Sequence, residues 1–143
     1  MTVFSMRLKL KVVFDTNIYI SAIIFGGNPR QCLELARKGE IELFTSRAIL
    51  LELANKLRVK FLWSDSEIRE VIEGIGQFAG LVSPKQRLDL IKDEPDNRIL
   101  ECALEAKADY IVSGDKKDLL SINKFKSIKI ISAKQFLGLF WES

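Results

Sequence analysis

Residues 11–23 read KVVFDTNIYISAI, a short apolar run that stops abruptly at Asp15. The run is β-branched and aromatic, and it reads as a buried strand extending from Leu8 to Phe14. An aspartate at a strand end forms turns, because its short side chain accepts hydrogen bonds from nearby backbone N–H groups. The same position is where parallel α/β sheets hold their ligand-binding groups. Turn former and functional carboxylate are thus both open readings of Asp15, and the neighbouring elements bear on the choice.

Beyond this strand, Asn28-Pro29 supplies an expected N-cap and first-turn proline for a helix, RQCLELARKG, that ends at Gly39. IELFTS reads as a second strand, and SRAILLELANKLRVKF carries helical periodicity through Ile49, Leu50, Leu53, Ala54 and Leu57. Ser64 and Glu67 form a capping box that opens a further helix towards Gly80, and Leu81-Val82 is a brief strand. Pro95 opens another helix, Asp109 to Ser113 is a strand, and IKIIS leads through a second capping box, Ser132 to Gln135, into KQFLGLFW. Short apolar strands alternating with helices define an α/β fold whose parallel sheet is covered on both faces.

With 143 residues, of which 48% are hydrophobic and 29% charged, the chain suits one globular domain with a substantial core. No repeat or low-complexity linker divides it. The longest uncharged run, Thr16 to Pro29, includes polar residues and two glycines, whereas a membrane span needs about 20 mostly apolar residues. The N-terminal MTVFSMRLKLK has no apolar segment of signal-peptide type, so a cytoplasmic protein with no membrane partner is expected. Cys32 and Cys102 each fall in an apolar helical pattern and read as small core residues. A net charge of +3 is too mild to define a nucleic-acid binder, although Lys116 to Lys134 holds six lysines against Asp118 alone.

The chain contains no histidine, which removes Ser-His-Asp and Cys-His systems and histidine-containing zinc sites. No GxxxxGK[ST] loop is present, and GIGQFAG at 74–80 is spaced GxGxxxG late in a helical pattern, as packing or helix termination. Oxygen chemistry remains. Asp15 ends the first strand, Glu52 lies in the helix SRAILLEL, Asp96 follows Pro95, and Asp115 follows the strand DYIVSG. Each has a structural explanation on its own: an Asx turn at Asp15, an exposed pair of Glu52 with Lys56, a favourable helix dipole at Asp96, and a turn at Asp115. Gathered at one sheet edge they would repel and take up protons unless a divalent cation neutralised them. All-oxygen ligation suits Mg²⁺ or Mn²⁺.

FDTNIYISA at 14–22, SRAILLELANKL at 46–57, EPDNRILECALEAKADYIVSGDKKDLL at 94–120 and IKIISAKQFL at 128–137 resemble the successive motifs of PIN domains. Their order and spacing span nearly the whole chain. The resemblance is to the stand-alone prokaryotic members that act as toxins of toxin–antitoxin pairs. It implies a three-layer α/β/α sandwich around a central parallel sheet, and a metal-dependent endoribonuclease. The family's four acids fall on Asp15, Glu52, Asp96 and Asp115, the expected catalytic and Mg²⁺- or Mn²⁺-binding residues. Asn17, Ser113, Asp118 and Asp93 match polar positions around them. In the subgroup two aspartates often stand together before the helix, whereas here Pro95 precedes Asp96.

The implied reaction is phosphodiester hydrolysis leaving a 5′ phosphate and a 3′ hydroxyl. Arg47, Lys116 and Lys117 flank the acidic motifs and are expected to contact RNA backbone phosphates without reading sequence. The implied partners are RNA, a small antitoxin protein and a second copy of the chain. A phosphatase of the DxD type is disfavoured by Asn17 at the second position, and a receiver domain by the lack of a mid-chain phosphoacceptor aspartate. A PIN-like module that binds RNA or protein without cleaving is the alternative from another class.

Overall fold

Val12, Val13 and Phe14 alternate between the two faces of their strand, and all three are fully buried. Both faces of the sheet are therefore covered, as they must be for a parallel sheet built from apolar runs. A computed structural model describes residues 9–114 and 119–141 of the chain. Within them the order is β1 (Lys11–Phe14), α1 (Thr16–Ile20), a π-helical turn (Ser21–Phe25), α2 (Gly27–Arg37), β2 (Glu42–Ser46), α3 (Arg47–Phe61) and α4 (Asp65–Gly76). There follow β3 (Ala79–Val82), α5 (Glu94–Ala106), β4 (Tyr110–Val112), α6 (Leu119–Ile122), β5 (Lys124–Phe125), β6 (Ile128–Ile131) and α7 (Ala133–Trp141).

The six strands lie in the order β3-β2-β1-β4-β6-β5, flanked by helices in the expected three-layer arrangement. All neighbours are parallel except β5, which runs antiparallel to β6. The sheet is thus mostly rather than wholly parallel, because a short hairpin adds Lys124–Phe125 at its edge. The strand order reverses between β1 and β4, which places the topological switch point where Asp15 and Ser113 leave the sheet. α5 lies across β1 to β4 and presents its N-terminal turns to that crevice.

Local chemistry explains most boundaries. Ser64 and Glu67 form the reciprocal capping box at the start of α4, and Ser132 and Gln135 do the same ahead of α7. α4 ends at Gly76, earlier than the expected Gly80, because Gly80 is already in β3 beside Phe44. A Cβ at Gly80 would stand 2.9 Å from the Phe44 ring, so glycine permits this close approach. Asn28 is not the N-cap of its helix. The chain turns through Gly26 and Gly27 at φ +88° and +66°, a region that L side chains avoid, and α2 begins at Gly27 with Pro29 inside its first turn. Arg30 reaches back from that turn, donating to the carbonyls of Ala22 at 2.8 Å and Ile23 at 3.2 Å. The two cysteines are free and buried, as expected of core residues. Among the described residues no helix is long and apolar enough to cross a membrane.

Candidate active site

Asp15 ends β1 and caps α1 at once. Its backbone N–H donates to Val112 O on β4 at 3.0 Å, which holds it against the neighbouring strand. Carboxylate Oδ1 accepts from the Ile18 N–H at 3.0 Å, the N-cap bond of α1. Oδ2 accepts from the hydroxyl of Ser113, which follows β4. The turn-forming reading of Asp15 thus holds, and one hydrogen bond to an oxygen does not by itself exhaust what a carboxylate can accept. Asp15 is 3% exposed and Ser113 is fully buried.

Asp15, Thr16, Asn17, Glu52, Lys56, Asp93, Pro95, Asp96 and Ile99 line one cavity of about 200 Å³. Three segments supply them: the β1–α1 junction, the middle of α3 and the first turns of α5. Asp96 lies in the first turn of α5, where the partial positive charge of the helix end favours a carboxylate, and its side chain is buried. Asp93 occupies the N-cap position of α5 without a side-chain capping bond, and its carbonyl accepts from the Asp96 N–H at 3.1 Å. Glu52 is half-buried and faces the cavity with Lys56, whose ammonium stands 3.6 Å from Glu52 Oε1. The same ammonium donates to Asn17 Oδ1 at 3.2 Å. Asn17 itself is exposed at the cavity mouth.

Of the residues expected at the site, Asp15, Asn17, Glu52, Asp93 and Asp96 are brought together, with Ser113 behind Asp15. Arg47 is the first residue of α3 and does not line this cavity. Asp115, Lys116, Lys117 and Asp118 lie outside the described residues. Lys56 was not among the expected site residues, although the Glu52-x-x-x-Lys56 spacing is plain in the sequence; a helix pair at this spacing looks the same whether it faces solvent or a crevice.

A second feature invisible in the motifs is the clasp around 84–91. Asn97 is completely buried, accepts from the N–H groups of Leu90 and Ile91 at 2.8 and 2.9 Å, and donates to Ile91 O at 2.7 Å. Glu101 accepts from the Leu88 N–H at 2.6 Å, Arg98 donates to Leu88 O at 2.7 Å, and Glu105 accepts from the Lys85 N–H at 3.1 Å. The loop leading to Asp93 is thereby strapped to α5, and the strap fixes how α5 begins. The signal was the run of polar residues at 97, 101 and 105, one helical face at four-residue spacing.

The donor set suits a hard divalent cation. Apart from Lys56, the polar side chains lining the cavity offer oxygen, and none offers imidazole or thiolate. Among the described residues no group of three or more acids or thiols stands close enough together to hold a metal ion by itself. Asp15 and Asp96, both buried, are the residues that would hold such an ion, and Mg²⁺ characteristically retains several of its waters. The cavity, about 200 Å³, has room for more than one water beside the acids.

A mostly parallel sheet flanked by helices, with an acidic cavity at its switch point, defines a three-layer α/β protein. A model of the PIN domain matches residues 11–117, and the chain belongs to the PIN-domain family, whose fold is of nuclease type. The uncharacterized protein MJ1680 of Methanocaldococcus jannaschii is 34% identical over 148 aligned positions, covering 94% of each chain. Among solved structures, VapBC2 from Rickettsia felis bound to a DNA fragment from its promoter matches with a TM-score of 0.61 at 14% identity, over 85% of this chain and 97% of that one. The PIN domain of T. brucei RRP44 matches with a TM-score of 0.54 at 13% identity, over 92% and 81%. At such identities the likeness is one of fold.

Proposed function

We propose that this PIN-domain protein is a Mg²⁺- or Mn²⁺-dependent endoribonuclease. The observation that carries the reading is the meeting of Asp15, Glu52 and Asp96, from three separate segments, in one cavity at the switch point of the sheet. Asp15 and Asp96 would hold the ion, with Asp115 completing the set and Glu52 orienting the ion or the attacking water. A bound ion lowers the pKa of its water and neutralises charge developing on the phosphate. Ser113 fixes the Asp15 carboxylate by donating to Oδ2. Lys56 holds Glu52 and Asn17 in place and offsets the negative charge of the crevice. Asp93 and Asp118 act as acids in support around the ion. Arg47, Lys116 and Lys117 contact backbone phosphates, which positions RNA without reading its sequence.

The test is cleavage of a labelled single-stranded RNA with added Mg²⁺ or Mn²⁺, comparing the native chain with Asp15→Asn and Asp115→Asn. Loss of metal-dependent cleavage in both variants is expected. Equal activity in all three would trace the cleavage to a contaminant and sink the assignment, and RNA bound but uncut in every case would favour the non-cleaving module. The toxin role, with a small antitoxin and a homodimer as its assemblies, belongs to the same reading. It predicts a small gene immediately upstream; without one the toxin role falls while the nuclease proposal stands.

A further inference from the structure

A second cavity opens beside the first on the same sheet edge. It measures about 340 Å³ and lies between the start of α3, the loop after β3, and Arg98 and Glu101 of α5. α3 and α5 border both cavities. Arg47 and Arg98 line the second, whereas Glu52 and Asp96, on the same two helices, line the first.

The lining of the second cavity is cationic. Arg47, Lys85 and Arg87 are all exposed there. Its one acid, Glu101, is already engaged: Arg98 grips it through two N–H groups at 2.9 and 2.7 Å, and the Leu88 N–H donates to it at 2.6 Å. The contact of Arg87 with Glu94, 3.5 Å and largely exposed, is too solvated to cancel the arginine charge. The first-turn N–H groups of α3 add partial positive charge at the same place. Hydrogen bonds from the Lys85 N–H to Glu105 and from the Leu90 and Ile91 N–H groups to Asn97 hold this loop in position, so the cations are mounted on an anchored segment.

Two strand spacings, about 10 Å, separate the end of β1 from the end of β3. A strand of RNA whose reacting phosphate sits at Asp15 would therefore reach the second cavity within a short stretch of backbone. We infer that the cleft formed by Arg47, Lys85 and Arg87 binds a backbone phosphate of the RNA on the β3 side of the cleaved bond. This inference rests on the ribonuclease reading and extends it to residues outside the acidic motifs. The contact is to phosphate, so it carries no sequence preference.

The experiment uses the full chain and a single-stranded RNA of about ten nucleotides, within the span that such grooves cover. Binding is followed by fluorescence anisotropy in chelator across a salt series, and cleavage is then measured with Mg²⁺. Lys85→Ala combined with Arg87→Ala alters only exposed side chains. The inference predicts several-fold weaker binding, a salt slope shallower by about 0.7 for one lost phosphate contact, and a rise in KM that exceeds any change in kcat. The ratio of cleavage of this RNA to cleavage of a dinucleotide should also fall several-fold. Native affinity and salt slope in the variant, with the native chain still cutting, would overturn the cleft assignment and leave the nuclease reading intact. A loss of kcat equal on long and short substrates would indicate a structural effect and also overturn it. If the native chain neither binds nor cuts RNA, both readings fall.

Discussion

Asp15 uses its two carboxylate oxygens for different structural tasks, Oδ1 to cap α1 and Oδ2 to receive the Ser113 hydroxyl. Asparagine keeps an oxygen for the cap and an amide group that Ser113 can face by rotating its hydroxyl. Alanine removes the cap, worth about 1 kcal/mol, and leaves a buried hydroxyl to satisfy at a similar cost. Asp15→Ala should therefore be roughly 2 kcal/mol less stable than Asp15→Asn in urea unfolding; equal midpoints would mean that neither bond contributes. The two thiols make a second prediction. Burial pushes Cys32 and Cys102 up to about 12 from an ordinary value of 9.0. Between those limits the unfolded chain releases the thiol protons while the folded chain keeps them, so stability falls as pH rises through about 9, by at most about 1.4 kcal/mol per pH unit for each thiol. Urea midpoints from about pH 8.5 to 10.5 should fall more steeply for the native chain than for Cys32→Ala/Cys102→Ala; parallel slopes would contradict the shift. At this scale the sequence showed the residue types at the site and not their second tasks. Lys56 looks like half of a surface pair until α1 brings Asn17 to the same ammonium.

Elements with local causes were legible before the fold was known. A capping box lies within four residues, so Ser64–Glu67 and Ser132–Gln135 announced their helices. The strands betrayed themselves by short apolar runs. What was not legible depends on partners far along the chain or on backbone conformation. α3 and α5 stop at Leu62 and Lys107, both in the left-handed region at φ 58° and 55°, without the glycine that usually marks such an end. β5 is two residues long and exists only by pairing with β6. The strap of 84–91 bonds to α5 through side chains that the motif reading passed over. Its keystone is Asn97: Asn97→Ala removes three hydrogen bonds from buried or half-buried backbone and should cost about 2–3 kcal/mol. Amide exchange at Leu90 and Ile91 should quicken before global unfolding, because Glu101 and Glu105 still hold the rest of the strap. Unchanged exchange at those two amides would show that the strap is held by other contacts.

Across the whole molecule, strand order governs where chemistry can occur. β1 and β4 are far apart in sequence and adjacent and parallel in the sheet, and the reversal of strand order between them leaves a crevice that the first turns of α5 border with carboxylates. Acids from separate segments at one sheet edge were foreseeable from the alternation of elements and from the resemblance to PIN domains. The gathering of cations was not: Arg47 at the start of α3 lines one cavity with Lys85 and Arg87 of the loop after β3, whereas the lysine-rich segment that stood out by eye lies at 116–134. Acidic cavity and cationic cleft side by side suit a polyanion whose cleavage needs a divalent ion. The most direct test is the rate of RNA cleavage as Mg²⁺ is titrated into the metal-stripped native chain and Asp96→Asn. The account predicts no cleavage without the ion, saturating activity in the native chain, and at least a hundredfold loss or a strongly raised Mg²⁺ requirement in Asp96→Asn. Cleavage that persists in chelator, or an Asp96→Asn curve that overlays the native one, would contradict it.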